Sequence, residues 1–216
     1  MNWTYPVAIT IVAGLAAWWL SSRRYSRADD TVHRTLPAWL LPVLAAVGSV
    51  VAAPFYLGRP AVVIISYAAA LVWGLVLAFI DLDVRRLPDF LTLPALPIAA
   101  GLLTACSYVT GDWPALARAA ACAGIATLAF FVAALLSPGA EGLGLGDVKL
   151  AGTLGGLLGW IGWWNALYGL LTGFILGGLV AAALLVTRRA GRKSHLSFGP
   201  AMIIGGYVWA VLPPVG

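Results

Sequence analysis

Residues 150–187 read LAGTLGGLLGWIGWWNALYGLLTGFILGGLVAAALLVT, 38 consecutive positions without a charge. Wound as one helix at 1.5 Å per residue, this run would be almost twice as long as the ~30 Å hydrocarbon layer of a bilayer, so it has to turn. The break is expected at Gly162-Trp163-Trp164-Asn165, where a glycine, two interface-seeking tryptophans and a polar amide follow one another. The reading gives a short sixth helix near 150–161 and a seventh near 166–187. A single span with a re-entrant piece would carry the basic cluster at 188–193 to the other side, and it is the weaker arrangement.

Working outward, apolar runs of about 17–24 residues occupy 3–20, 36–57, 61–80, 90–108 and 113–136, each long enough to cross a bilayer. A last run extends from Phe198 to about Val215. The expected fold is therefore all-α, a polytopic bundle of about eight transmembrane helices. Composition agrees: the chain is 62% hydrophobic and 10% charged, with 25 glycines and 10 tryptophans in 216 residues, and its mean hydropathy is +0.95. Residues 1–216 are read as one integral-membrane domain, with 1–60 contributing two helices ahead of the rest. The run at 3–20 is followed, not preceded, by Arg23, Arg24 and Arg27, the pattern of a retained anchor and not of a cleaved signal.

Orientation follows from the cations. With the N-terminus outside, Arg23, Arg24, Arg27, Arg34, Arg85, Arg86, Lys149, Arg188, Arg189, Arg192 and Lys193 are all cytoplasmic, and only Arg59 and Arg118 lie outside. That asymmetry predicts an N-out, C-out chain. The net charge of +5 is thus a matter of topology, and no nucleic-acid partner is expected, because no basic face with interleaved aromatics stands on a soluble fold. Cys106 and Cys122 lie in or beside apolar segments without CxxC spacing, and His33 and His195 lie in basic loops. These four residues make neither a metal site nor a nucleophilic dyad. The glycine pairs Gly152/Gly156, Gly155/Gly159 and Gly169/Gly173/Gly177 are expected to let helices approach closely.

The chemistry is left to the acids. On this topology all of them except Asp112 are cytoplasmic. Asp81 ends an apolar run without a spacer, and Asp83 lies about 200° further round the same helix. Asp89 follows Pro88 and suits a helix N-cap. Asp147 closes Gly142-Leu143-Gly144-Leu145-Gly146. It can serve as a cap for the sixth helix, but alternating glycines also leave a backbone strip against which an extended peptide could lie. A P-loop is excluded by the lack of a preceding strand and of GK[ST]. Two aspartates meeting at one membrane face can share a proton, one ionised and one neutral, as an aspartic peptidase requires, and the two roles are not assigned at this stage.

Ala78 through Pro94, with Ile80-Asp81-Leu82-Asp83 and Leu87-Pro88-Asp89 inside it, resembles the first block of the type IV prepilin peptidases. Gly144-Leu145-Gly146-Asp147-Val148-Lys149-Leu150 resembles their GxGD block, 66 residues later, and Ser197-Phe198-Gly199-Pro200 resembles the segment before their last helix. The likeness covers about 65–205. It implies a membrane aspartic endopeptidase of the cytoplasmic membrane that removes the short basic leader of prepilins and pseudopilins, cutting after a glycine ahead of an apolar helix. The catalytic pair would be Asp81 and Asp147, with Gly144, Gly146, Lys149, Asp83 and Asp89 in the active-site loops or against substrate. Many members carry an N-terminal region with paired CxxC motifs linked to zinc and N-methylation. The 21–35 loop has no cysteine, so no zinc and no other cofactor are expected, methyl transfer is disfavoured, and the shorter form is more similar to peptidases of tight-adherence (Flp) pili. The rival readings are a transporter or channel with cation-binding acids, which would set them near mid-membrane, an inactive scaffold, and a GxGD intramembrane protease of another substrate class.

Overall fold

The computed structural model describes residues 4–22, 25, 36–56, 58–136, 144–186 and 198–213. These form ten helical segments, α1 (Thr4–Ser21), α2 (Leu40–Val51), α3 (Ala53–Tyr56), α4 (Ala61–Val84), α5 (Asp89–Thr92), α6 (Ala95–Thr110), α7 (Trp113–Leu136), α8 (Leu145–Ile161), α9 (Trp163–Val186) and α10 (Gly199–Val211), with no strand among the described residues. Two are single turns, α3 and α5, so the bundle has eight substantial rods. Four stretches are long and apolar enough to cross a membrane: Ala61–Val84, Asp89–Thr110, Trp113–Leu136 and Trp163–Ala183. The protein is a multi-pass membrane bundle. Of the expected runs, 36–57 is divided between α2 and α3, where Pro54 has no N–H for the helical ladder. The run at 90–108 is likewise divided at Pro94.

The turn between α8 and α9 falls where the glycine-tryptophan reading put it, but it is tighter. Gly162 alone is extended (φ −174°, ψ 157°), and its carbonyl accepts the Ala166 N–H at 3.2 Å. Helix α9 therefore winds from Trp163, three residues earlier than expected. Helix α8 begins at Leu145 instead of 150, and α4 runs four residues past the expected end at 80, because a charged residue in a last turn does not end a helix when its backbone remains bonded. Arg85 ends it, in the left-handed region (φ 50°, ψ 39°), with its N–H donating to the Asp81 carbonyl at 2.8 Å.

Helix α8 is the centre. Nearly every residue from Val148 to Ile161 is buried. Its glycine face lies against α7: a Cβ on Gly155 would stand 2.9 Å from the Cys122 carbonyl oxygen. The same device joins α9 to α10, where a Cβ on Gly173 would stand 2.6 Å from the Met202 Cα. Without apolar side chains between the backbones, dispersion contacts accumulate along the whole seam. Polar bonds fix the register. The Tyr67 hydroxyl on α4 donates to the Leu157 carbonyl at 2.6 Å, and Trp160 Nε1 donates to Ser107 Oγ on α6 at 2.9 Å.

A buried helix end leaves carbonyls without partners. Arg118, on α7, meets that need: its Nε donates to the Gly159 carbonyl at 2.7 Å, and its Nη2 donates to those of Trp160 at 2.7 Å and Ile161 at 3.4 Å. Read from sequence, Arg118 was only an external charge. Nearby, Asp112 caps α7 by accepting the Ala115 N–H at 2.9 Å. Arg118→Ala strips three carbonyls of their donor and should destabilise the bundle by about 1–3 kcal/mol, read as a lower unfolding midpoint in detergent. An unchanged midpoint would show that the guanidinium is not what satisfies this end.

Candidate active site

Four chain segments converge at the end of the bundle opposite Arg118: the last turn of α4, the 85–92 connection with α5, the first turn of α8 and the first turn of α10. Asp81 lies inside α4, not at its edge as the hydropathy suggested, and is only 4% exposed. Its Oδ2 accepts the Gly199 backbone N–H at 3.0 Å. That N–H belongs to the first turn of α10, whose donors have no partner within the helix, and the positive end of the helix dipole adds to the attraction for a carboxylate. The contact is close enough to exclude a side chain, since a Cβ on Gly199 would lie 2.6 Å from Asp81 Oδ2. Pro200, which follows, has no N–H to satisfy and suits the first turn. Phe198, which precedes, stacks on Phe174 of α9 with ring centroids 6.4 Å apart.

Asp147 occupies the first turn of α8, ahead of the apolar run that starts at Leu150. Its Oδ2 accepts the Gly144 N–H at 3.1 Å, so the capping role foreseen for it is real, with Gly144 as the N-cap and Asp147 three residues inside. Its pKa is nevertheless raised to about 6. Burial is the larger cause, the negative charge of Asp81 the second, and the Gly144 bond opposes both. The two aspartates predicted as a pair are thus brought within each other's field and held in unlike surroundings. Gly146 has a packing reason to be glycine: a Cβ there would stand 2.8 Å from the Leu87 Cβ, which ties the connection after α4 to the start of α8.

The remaining candidates separate. Asp83 points to the far side of α4, as its angular offset required, and accepts the Tyr25 hydroxyl at 2.5 Å. Both line a cavity of about 420 Å³ with Leu20, Pro37 and Phe79. Asp89 is not an N-cap. Pro88 holds that position in α5 and Asp89 is the first helical residue, because its carboxylate is engaged elsewhere, in an ion pair with Lys149 of α8. The pair joins α5 to α8; Asp89 is 69% exposed and Lys149 30%. Glu141, Gly142, Asp29, Asp30, His33 and His195 lie outside the described residues.

Sequence reasoning missed three participants. Gly199 stood in a quoted motif, and its place just before a helix-starting proline was a usable sign of an unpaired backbone donor. Leu87 and Tyr25 gave no such sign, since their roles come from contacts between distant segments. Among the described residues, no three His, Cys, Asp or Glu side chains gather as a metal would require.

A sequence model described as the type IV leader peptidase family matches residues 68–184, a stretch that contains both Asp81 and Asp147. The prepilin leader peptidase/N-methyltransferase of Aeromonas hydrophila is 38% identical over 146 residues, covering 65% of this chain and 47% of the relative. The proteins of that name from Neisseria gonorrhoeae and Pseudomonas putida are 36% identical over 135 residues (61% and 43%) and 34% over 143 residues (64% and 46%). The chain spans about half the length of these curated relatives. No solved structure matches it at comparable significance.

The coupling between the acids can be read directly. Replacing Asp81 by Asn removes a negative charge that disfavours ionisation of Asp147, so the Asp147 midpoint should fall below about 6. Carboxyl-stretch infrared titration of isotope-labelled protein would follow it. A midpoint that stays or rises would show that the two carboxyls do not sense each other.

Proposed function

The chain belongs to the type IV leader peptidase family, and on that premise we propose that it is a membrane aspartic endopeptidase that removes the basic leader from prepilins or pseudopilins, with Asp81 and Asp147 as its catalytic pair. The observation that carries this reading is the asymmetry of the two acids. Asp81 accepts the Gly199 N–H at 3.0 Å and its charge reaches Asp147, whose carboxyl is held in the neutral form up to about pH 6 by burial and by Asp81 together.

The roles follow from that asymmetry. Ionised Asp81 takes a proton from water as the water oxygen attacks the scissile carbonyl carbon. Neutral Asp147 gives its proton to the carbonyl oxygen, producing a tetrahedral diol. When the diol collapses and the carbon–nitrogen bond breaks, Asp147 recovers a proton from a hydroxyl and Asp81 passes its own to the leaving amine. Both carboxyls return to their starting states, and no further cofactor enters the sequence. Gly144 steadies Asp147, Gly146 admits Leu87, and the Lys149–Asp89 pair holds α5 against α8. Asp83, turned toward Tyr25, supports α4 from its other side.

The eleven-to-two division of cations in the sequence supports a cytoplasmic position for this end of the bundle in an N-out, C-out chain, read as one membrane domain. The substrate's leader would then approach from the cytoplasm while its apolar helix stays in the bilayer. The relatives' names join peptidase and N-methyltransferase activities. Only the peptidase activity carries over to this chain, because the carboxylate pair accounts for hydrolysis and supplies nothing for methyl transfer.

Co-expression with a prepilin tests the assignment: the leader should be lost in the presence of the wild-type chain. Asp81→Asn and Asp147→Asn should each cut cleavage by about 10³-fold or more, with the protein still inserted in the membrane. Asp83→Asn should retain most of it. Normal cutting by Asp81→Asn would sink the pair. The pH dependence has a definite sign. Since Asp147 has to be protonated in the free enzyme, kcat/KM should decline as pH rises through about 6. A rate that climbs through that range would reverse the roles.

A further inference from the structure

Among the described residues, two apolar grooves of more than about 300 Å³ open on the sides of the bundle. The larger, about 430 Å³, lies between α7 and α9, with Ile125, Phe130, Trp163 and Phe174 on its walls. No residue of α4 or α8 lines it, so neither aspartate-bearing helix borders it. The second, about 340 Å³, lies where α4, α5, α6 and α8 meet. It is lined by Ser66 and Trp73 of α4, Phe90 of α5, Ile98 of α6, and Thr153 and Leu157 of α8. From the geometry we infer that this smaller groove receives the apolar helix of the substrate and delivers the peptide just ahead of it to Asp81 and Asp147.

The inference rests on the peptidase reading and adds to it where the substrate lies. Three features carry it. Both wall helices continue to the acids: Trp73, Leu77 and Asp81 follow one another at four-residue intervals on α4, and Leu150 of α8, three residues after Asp147, packs in one buried cluster with Leu77 and Leu87. Trp73 and Leu91, which line the groove, rest on that same cluster. The way from groove to acids is therefore continuous apolar surface.

The end of the groove nearest the acids is also built. Trp73 Nε1 donates to the Leu91 carbonyl at 3.2 Å, fixing α5 across α4, and the Asp89–Lys149 pair fixes α5 to α8. Thr153 sits one turn below Lys149 on α8 and donates to its carbonyl at 3.0 Å.

The third feature is polarity. An apolar trough ends at an exposed carboxylate, that of Asp89, shared with Lys149. A prepilin presents the matching order, a basic leader followed by an apolar helix. Neither groove has an acid among its lining residues, but Asp89 directly precedes Phe90, which lines this one, whereas no residue that lines the α7–α9 groove adjoins an acid in the chain.

Crosslinking distinguishes the two grooves. A photoreactive benzoyl-phenylalanine is placed at Ile98 or at Ile125, which are similarly exposed (59% and 61%), in the full chain in membranes. The probe is a co-expressed prepilin with a basic leader, a glycine and an apolar helix of about 20 residues. The adduct should form with the prepilin helix from Ile98 and not from Ile125. A prepilin adduct from Ile125 alone, equal adducts from both, no adduct from either, or only phospholipid captured at Ile98 would each overturn the assignment. In parallel, Ile98→Trp should raise KM for the same prepilin about tenfold, the factor that ~1.4 kcal/mol of lost docking energy produces, and Ile125→Trp should not. An unchanged KM in Ile98→Trp would count against the groove. If the wild-type chain cuts no prepilin while the Ile98 adduct forms, it is the peptidase reading that fails and not the docking site.

Discussion

A helix buried over most of its length must have its termini satisfied by other parts of the protein, and α8, buried from Val148 to Ile161 except at Lys149, sets this condition for the whole bundle. At one end Arg118 supplies donors to the last carbonyls. At the other, Asp147 accepts the Gly144 N–H and lies at the positive end of the helix dipole. Opposite charges thus sit at the ends where each is favoured. Between them, a glycine face lets α7 close directly onto the α8 backbone. At the first turn another glycine, Gly146, admits Leu87 in the same way, since a Cβ there would stand 2.8 Å from the Leu87 Cβ.

Asp81 solves a different problem. A carboxylate 4% exposed in the last turn of an apolar helix is costly unless it is hydrogen-bonded. Here the donor is a backbone N–H, that of Gly199. Such a donor cannot titrate or change rotamer, and Asp147 has one of the same kind in the Gly144 N–H. What is particular to Asp147 is its raised pKa, which burial and the charge of Asp81 produce together. Asp83, two residues from Asp81, shows how narrow the requirement is. It has a partner in Tyr25, yet faces away from α8 and α10 and has no access to the pair.

Much of this was legible in the residues. Hydropathy located an apolar run at each of the eight substantial rods, four of which lie in stretches long and apolar enough to cross a membrane, while length demanded the turn after α8 and the glycine and tryptophans placed it. Helical geometry separated Asp81 from Asp83, and glycine spacing marked the α7–α8 and α9–α10 seams. The boundaries were misplaced where charged residues joined a helix. Hydropathy ended α4 before Asp81 and began α8 after Lys149, whereas the backbone ladder continues through both. The Asp89–Lys149 pair was beyond reach for a different reason. Its members are far apart in the chain, and local sequence favoured the cap that Pro88 occupies instead. The role of Arg118 was out of reach because a charge count registers which side a cation is on and not what its guanidinium touches.

The turn at Arg85 joins these parts. Its left-handed backbone (φ 50°) costs an L-residue roughly 1–2 kcal/mol relative to the right-handed form. Glycine would carry no such cost, so the strain has to be outweighed by what the turn arranges. By stopping α4 one turn after Asp81, it sends the chain back across the end of the bundle and sets Leu87, 8% exposed, against Gly146. Burying a leucine side chain contributes about 1.5–3 kcal/mol, enough to offset the strained residue. The same reversal brings Asp89 to Lys149, so an apolar contact and an ion pair together hold the connection after α4 against α8. The relative position of the two catalytic candidates is therefore set by the stop at Arg85, and not by either aspartate's own helix alone.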